Sequence, residues 1–286
     1  GGSSISVAQA YIADVTTKEN RAKGMGVIGA AFGLGFVFGP LMGGFLASYS
    51  YMVTGFASAA FSILAFIFTI LLLPESNLNR KAANEIKRKL INIDDLKNVF
   101  AKPERAILIF LFFVLTFSFA NIYGTFALLG LQVYGFSDMQ NGFMFGIIGL
   151  TSAIVQGGLI GRIGKVVSKK NILKIGSFFI MVALALIPFG DTFLGLAIIC
   201  IFLAMGTGIF QPTVLSLISE VTPDTEQGVT LGVNQSVSAF ARVLGPLWGG
   251  FAFEFLGYPY PFLTGAAFTL LIFIVTLFYI PKRLDI

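Results

Sequence analysis

The stretch VFGPLMGGF occupies residues 37–45, and VLGPLWGGF occupies residues 243–251. A constant shift of 206 residues (243 minus 37) carries one onto the other. The same shift lays YIADVTTKENRAKGMGV, residues 11–27, over LISEVTPDTEQGVTLGV, residues 217–233. Asp14 then falls on Glu220, Gly26 on Gly232, Gly39 and Pro40 on Gly245 and Pro246, and Gly43 and Gly44 on Gly249 and Gly250. The match crosses a helix end, a loop and most of a second helix in one orientation. It reads as a parallel duplication, one of the recurring plans of membrane transporters.

The surroundings of the phrase decide what kind of helix it forms. The chain has 286 residues, 56% of them hydrophobic and 12% charged, with 32 phenylalanines. Soluble domains carry about 25% charged residues. The mean hydropathy of +0.87 agrees with the deficit. Residues 24–74, 106–137, 139–161, 175–190, 192–219 and 255–281 contain no charge at all. Runs near or above about 20 apolar residues cross a bilayer as helices, because lipid leaves backbone groups to be paired internally. The spacing predicts spans over 24–47, 52–73, 105–134, 139–160, 172–188, 192–218, 228–253 and 258–280, preceded by a half-span over 1–13. Nothing at Gly1 resembles the basic start of a signal peptide.

Basic residues give the orientation. All of the 19 lysines and arginines except Arg242 fall in residues 14–23, 75–105 and 161–174 or at the C-terminus, and the alternate turns near Ser50, Ser137, Asp191 and Gly257 hold none. The bias places the first set of loops, with 220–227, in the cytoplasm of a multi-pass protein of the cell inner (plasma) membrane. The net charge of +5 is this bias and not a nucleic-acid footprint. There is no histidine, Cys200 is the one cysteine, and no Gly-rich loop runs into Lys-Ser or Lys-Thr. These absences argue against a metal centre, a disulfide, a nucleophilic triad and an ATPase motor. An enzyme is not expected. The 75–104 stretch reads as a linker with an amphipathic patch over 84–99.

The phrase itself has a physical reading. Gly35, Gly39 and Gly43 repeat every four residues, a spacing that lets a neighbouring helix approach closely. Pro40 removes one helical hydrogen bond and allows a bend. Such a helix suits a seal in a moving bundle, or it is plain helix packing.

GLGFVFGPLMGG resembles the fifth-helix antiporter motif of the major facilitator superfamily, and the residues ahead of it are similar to the drug:proton antiporter branch that includes bacterial tetracycline efflux proteins. GGLIGRIGKV, residues 157–166, resembles that family's GxxxDRxGRR loop. Gly157, Arg162, Gly164 and Lys165 keep the pattern, Gly161 stands where Asp is expected and Val166 where the last basic residue is. The resemblance implies an all-α membrane fold from mid helix four to helix twelve of a twelve-helix protein, with the first three helices absent. Residues 1–74 are then helices four to six, 75–104 the linker, and 105–286 the C-terminal six-helix bundle. It implies proton-coupled efflux of drugs or small organic compounds by alternating access, with no cofactor and the proton gradient as energy source. The partners are lipid, protons and a small molecule, and the full-length protein is expected to be monomeric. A symporter or facilitator of a small metabolite, of which an anion would fit Arg242, is the alternative, and a non-transporting receptor or scaffold the second.

Site candidates follow from polar residues at mid-membrane depth. Arg242 lies some 14 residues into a span and has no acidic residue at its depth in the chain. A charge there costs at least about 2.5–3.5 kcal/mol and commonly marks a pathway or a pair. Gln235, Ser238 and Arg242 follow i, i+3, i+7 and are expected on one face. Asn234, Gln211, Asn121 and Tyr123 complete the substrate and coupling candidates. Asp14, Arg21, Glu220, Gly157, Gly161, Arg162, Gly164 and Lys165 are candidates for a cytoplasmic gate. Solvated loops that merely obey the orientation rule are the plainer reading of that set.

Overall fold

A computed structural model describes residues 7, 8, 11, 12, 15, 21–75, 93–223 and 226–279. Besides the four-residue helix Ile160–Ile163, eight long helices and one short one form among the described residues. They are α1 (Arg21–Ala47), α2 (Tyr51–Leu72), the short α3 (Ile93–Phe100), α4 (Pro103–Leu128), α5 (Asp138–Ile154), α6 (Lys169–Leu186), α7 (Phe193–Glu220), α8 (Gln227–Phe251) and α9 (Tyr260–Phe278). Six of the long helices are apolar enough to cross a membrane by length and composition. α8 is long enough too, but Asn234, Gln235, Ser236, Ser238 and Arg242 lower its hydropathy. The predicted half-span over 1–13 and most of the amphipathic patch lie outside the described residues. The part of the patch that is described continues into α3, which buries Val99 against the ends of α4 and α8.

Helix starts are set by side chains that satisfy orphan backbone N–H groups. Ser50 accepts from Met52 N, Ser168 from Asn171 N and Thr192 from Gly195 N. Ser137 and Gln140 form a reciprocal capping box at the start of α5. Three helices carry a wider turn that periodicity does not foretell: α4 runs into a π turn at Leu129–Val133, α5 at Val155–Leu159 and α8 at Ala252–Leu256. The first has a visible partner. Asn141 of α5 is buried against Gly130 inside that turn, and its Nδ2 donates to Ala127 O at 3.3 Å.

α4 to α9 enclose one core, in which Leu108, Leu111, Phe112, Met144, Ile180, Leu184, Phe210 and Phe262 are almost fully buried. Outward positions such as Phe110, Leu194, Phe240 and Leu247 stay apolar and exposed, as expected of helices solvated by lipid. α2 buries none of its 22 residues. α1 lies along α5 and ties the first two helices to the bundle.

At the basic end the bundle is pinned by charge. Arg105, 4% exposed, ion-pairs with Glu226 just ahead of α8, and its Nε donates to Val221 O at 3.4 Å. Arg105→Gln is expected to leave Glu226 and the Val221 carbonyl without their donor, at a cost of about 1–3 kcal/mol. A thermal unfolding midpoint several degrees lower in detergent is the check, with Lys102→Gln, an exposed neighbour, unchanged.

Candidate substrate cavity

The repeated phrase lands on two different neighbours. α8 packs along α4 through Ala241, Gly245 and Gly249, all buried. A Cβ on Gly245 would stand 2.8 Å from Asn121 N and 2.8 Å from Ala120 Cβ, and one on Gly249 would stand 2.6 Å from Asn121 O. In the first copy the tight position is Gly44, whose Cβ would lie 2.7 Å from Asp138 O and 3.0 Å from Gly142 Cα of α5. Gly35, Gly39 and Gly43 have nothing within 4 Å of such a Cβ among the described residues, and neither has Gly250. The close approach expected of the Gly35, Gly39, Gly43 stripe is therefore made instead by Gly44, one residue round the helix. Pro246 is exposed on α8.

Pro40 lies inside α1. It forms one wall of a cavity of about 320 Å³ whose other walls are Phe119, Ile122, Tyr123 and Phe126 of α4, Phe145, Ile148 and Gly149 of α5, and Leu203 of α7. The aromatic rings brace one another. Tyr123 meets Phe119 edge-on at 4.9 Å and lies nearly parallel to Phe145 at 6.5 Å, and Phe126 meets Phe145 at 5.3 Å. Such rings offer a large apolar contact area with preferred offset and edge-on geometries. The volume falls in the range of drug-sized sites, about 300–1,000 Å³. Apart from the Tyr123 hydroxyl, the described residues that line it are apolar, which suits an apolar or aromatic body.

Of the residues singled out from sequence, Tyr123 and Pro40 line the cavity. Arg242 is close enough to Tyr123 for its charge to act on it, and makes no ion pair among the described residues. It is exposed, not buried, because the described helices leave that side of α8 uncovered. The shared face expected for Gln235, Ser238 and Arg242 is divided. Gln235 and Arg242 are exposed, whereas Ser238 is buried with Asn234 on the packing face, its Oγ donating to Asn234 O at 2.7 Å. A separation of three residues turns the helix by about 300°, which is enough here to cross the boundary of a narrow packed stripe. Asn121 is 1% exposed at the junction of α4, α8 and α9, and its Nδ2 donates to Pro261 O at 2.5 Å. Gln211 is exposed on α7.

The gate candidates are only partly described. Asp14 and the Arg21 side chain lie outside the described residues. Glu220 ion-pairs with Lys169 and accepts from Ser216 Oγ at 3.2 Å, both within the α4–α9 bundle. Gly157 and Gly161 are open, Gly164 lies near Ile160 O, and Arg162 and Lys165 are exposed. Sequence reasoning passed over Phe119, Phe126, Phe145 and Gly149. The first two carried a signal, since Phe119, Tyr123 and Phe126 follow i, i+4, i+7 on α4.

A family model described as Major Facilitator Superfamily matches residues 1–246 and 192–285. The chain is 28% identical over 256 residues to Multidrug resistance protein 1 of Bacillus subtilis (strain 168), covering 89% of this chain and 64% of that protein. It is 28% identical over 255 residues to Tetracycline resistance protein, class E, of Escherichia coli, covering 88% and 62%. It thus spans less than two thirds of the length of these relatives. The crystal structure of the human organic anion transporter MFSD10 (TETRAN) superposes with a TM-score of 0.68 at 25% identity, over 95% of this chain and 67% of that one.

Proposed function

The chain belongs to the major facilitator superfamily of membrane transporters, and on that premise we propose that its cavity carries lipophilic organic compounds out of the cell in exchange for protons. The observation that supports this reading most is the makeup of the cavity wall. Four aromatic side chains from α4 and α5 line, with Pro40 of the repeated phrase, a cavity of about 320 Å³. A helix that walls the cavity and can bend beside it is suited to exposing the cavity to one side of the membrane at a time. α1 and α2 belong, in this reading, to one rocking half and α4 to α9 to the other. The proton gradient drives the cycle and no cofactor takes part.

The relatives support efflux, two of them being named for resistance to multiple drugs and to tetracycline. Arg242 favours a second reading of the cargo. A guanidinium whose charge reaches Tyr123 of the cavity wall would attract a carboxylate or sulfonate on an aromatic body, and one structural relative is titled an organic anion transporter.

Gly149→Leu tests the cavity. Gly149 is buried in the α5 wall, and an isobutyl group there would occupy the space meant for cargo. Efflux of a lipophilic fluorescent dye from cells is expected to fall about tenfold, equivalent to about 1.4 kcal/mol. Normal efflux at normal expression would exclude the cavity as the route. Orientation is tested separately. Lys165→Cys should react with a membrane-impermeant thiol reagent only from the cytoplasmic side, and Ser48→Cys, in the α1–α2 turn, only from outside.

A further inference from the structure

Tyr51 opens α2 and Asp138 opens α5, so they stand on the two parts that the cycle must separate. Tyr51 Oη donates to the Asp138 carboxylate, 3.2 Å from Oδ1 and 3.1 Å from Oδ2. We propose that this hydrogen bond is a latch that holds the transporter shut on its outer side. The proposal rests on the orientation and the alternating access given above.

Both partners are mounted on rigid corners. The α1–α2 turn is tied back on α1 by Ser48 N to Gly44 O, Tyr49 N to Leu46 O and Ser50 N to Leu46 O, at 3.1–3.2 Å. Ser50 in turn accepts from Met52 N at 3.1 Å. Tyr51 therefore moves with α1, the helix that carries Pro40. On the other side, Asp138 sits in the first turn of α5. The capping box fixes its backbone, and Asn141, one turn later, locks α5 onto the π turn of α4. Asp138 therefore moves with the α4–α5 corner.

The latch lies over a close helix contact. Gly44 and Gly142 approach so nearly that a Cβ on Gly142 would stand 2.7 Å from Pro40 O, and one on Gly146 would stand 2.7 Å from Leu41 Cδ2. Toward the basic end the same two helices carry open glycines, Gly35 on one and Gly157, Gly158 and Gly161 on the other. Among the described residues the close contacts between these two helices lie toward the outer end, where the latch is. Tyr51 is 71% exposed and nothing on α2 is buried. Its hydroxyl is thus free to let go when α1 swings away. An ionised acceptor makes this a stronger bond than a neutral pair, and a few-fold bias between two states is enough to set which side the resting protein shows.

The test reads outward access to the cavity and not transport. In the full-length protein, with Cys200→Ser and any cysteine outside this sequence likewise replaced, Ile148→Cys places a reporter on the cavity wall. Tyr51→Phe and Asp138→Ala should each raise its labelling rate by an impermeant thiol reagent added outside about 3- to 10-fold. The double variant should be no faster than the faster single one, because both remove one bond. Tyr49→Phe, an equally exposed tyrosine in the same turn, should change nothing. Unchanged labelling in both singles, multiplying effects in the double, or an equal rise with Tyr49→Phe would each overturn the latch. A reversed orientation would show instead in the Lys165→Cys and Ser48→Cys labelling, which the latch variants do not affect.

Discussion

Gly249→Leu is expected to leave almost no folded protein, whereas Gly250→Leu, one residue on, is tolerated. A Cβ at Gly249 falls against Asn121, 2.6 Å from its carbonyl oxygen and 3.2 Å from Thr125 Cγ2. Neither can give way easily. The Asn121 carbonyl belongs to the backbone of α4, and the Asn121 side chain is held by Pro261 O of α9. An inserted side chain forces α8 off α4, and with it the bundle that α4 organises. Overpacking a core costs about 1–3 kcal/mol when neighbours can adjust, and here they are backbone. Among the described residues nothing lies within 4 Å of a Cβ at Gly250. The first copy reverses the order, so Gly44→Leu is expected to be severe and Gly43→Leu mild. Monodisperse yield in detergent and the thermal unfolding midpoint of the four variants check this directly.

Arg242→Ala is expected to cut transport of aromatic anions tenfold or more, about 1.4 kcal/mol or above. The guanidinium stands near Tyr123 with no ion pair among the described residues, so its charge is available to cargo or to a carboxylate of the full-length protein. Arg242→Lys should recover part of the loss, since an ammonium keeps the charge and loses the planar five-donor fork. The charge dependence of the defect decides between roles. A loss confined to anions, measured by uptake of matched anionic and cationic dyes, makes Arg242 a cargo contact. An equal loss for both makes it part of coupling. Wild-type rates for both would remove it from the site.

The charge-free runs around the duplicated phrase made the all-helical architecture readable, because a run of membrane length has few ways to satisfy its backbone. The long helices fall close to their expected bounds for the same reason. Which face of each glycine helix is packed was not readable. Gly43 and Gly249 occupy equivalent places in the repeat, yet only Gly249 is tight, because α1 meets α5 and α8 meets α4 at different rotations. That choice is made by the neighbour. The cavity was legible only in part. Tyr123 stood out as a polar residue at depth, while Phe145 and Gly149 looked like ordinary lipid-phase residues until α5 was placed across from α4. Glu220 pairs within its own bundle, with Lys169; loop charges alone do not reveal which loop lies beside which.

We propose that this protein moves lipophilic organic compounds through the cavity beside Pro40 at the expense of a proton gradient. Proteoliposomes of the full-length protein, given an imposed pH gradient and a panel of anionic and cationic lipophilic dyes, test it most directly. The account predicts dye movement against its gradient that collapses with a protonophore and falls about tenfold in Gly149→Leu. Folded protein that moves no dye above empty liposomes, or moves it equally without the gradient and with the cavity filled, would contradict it.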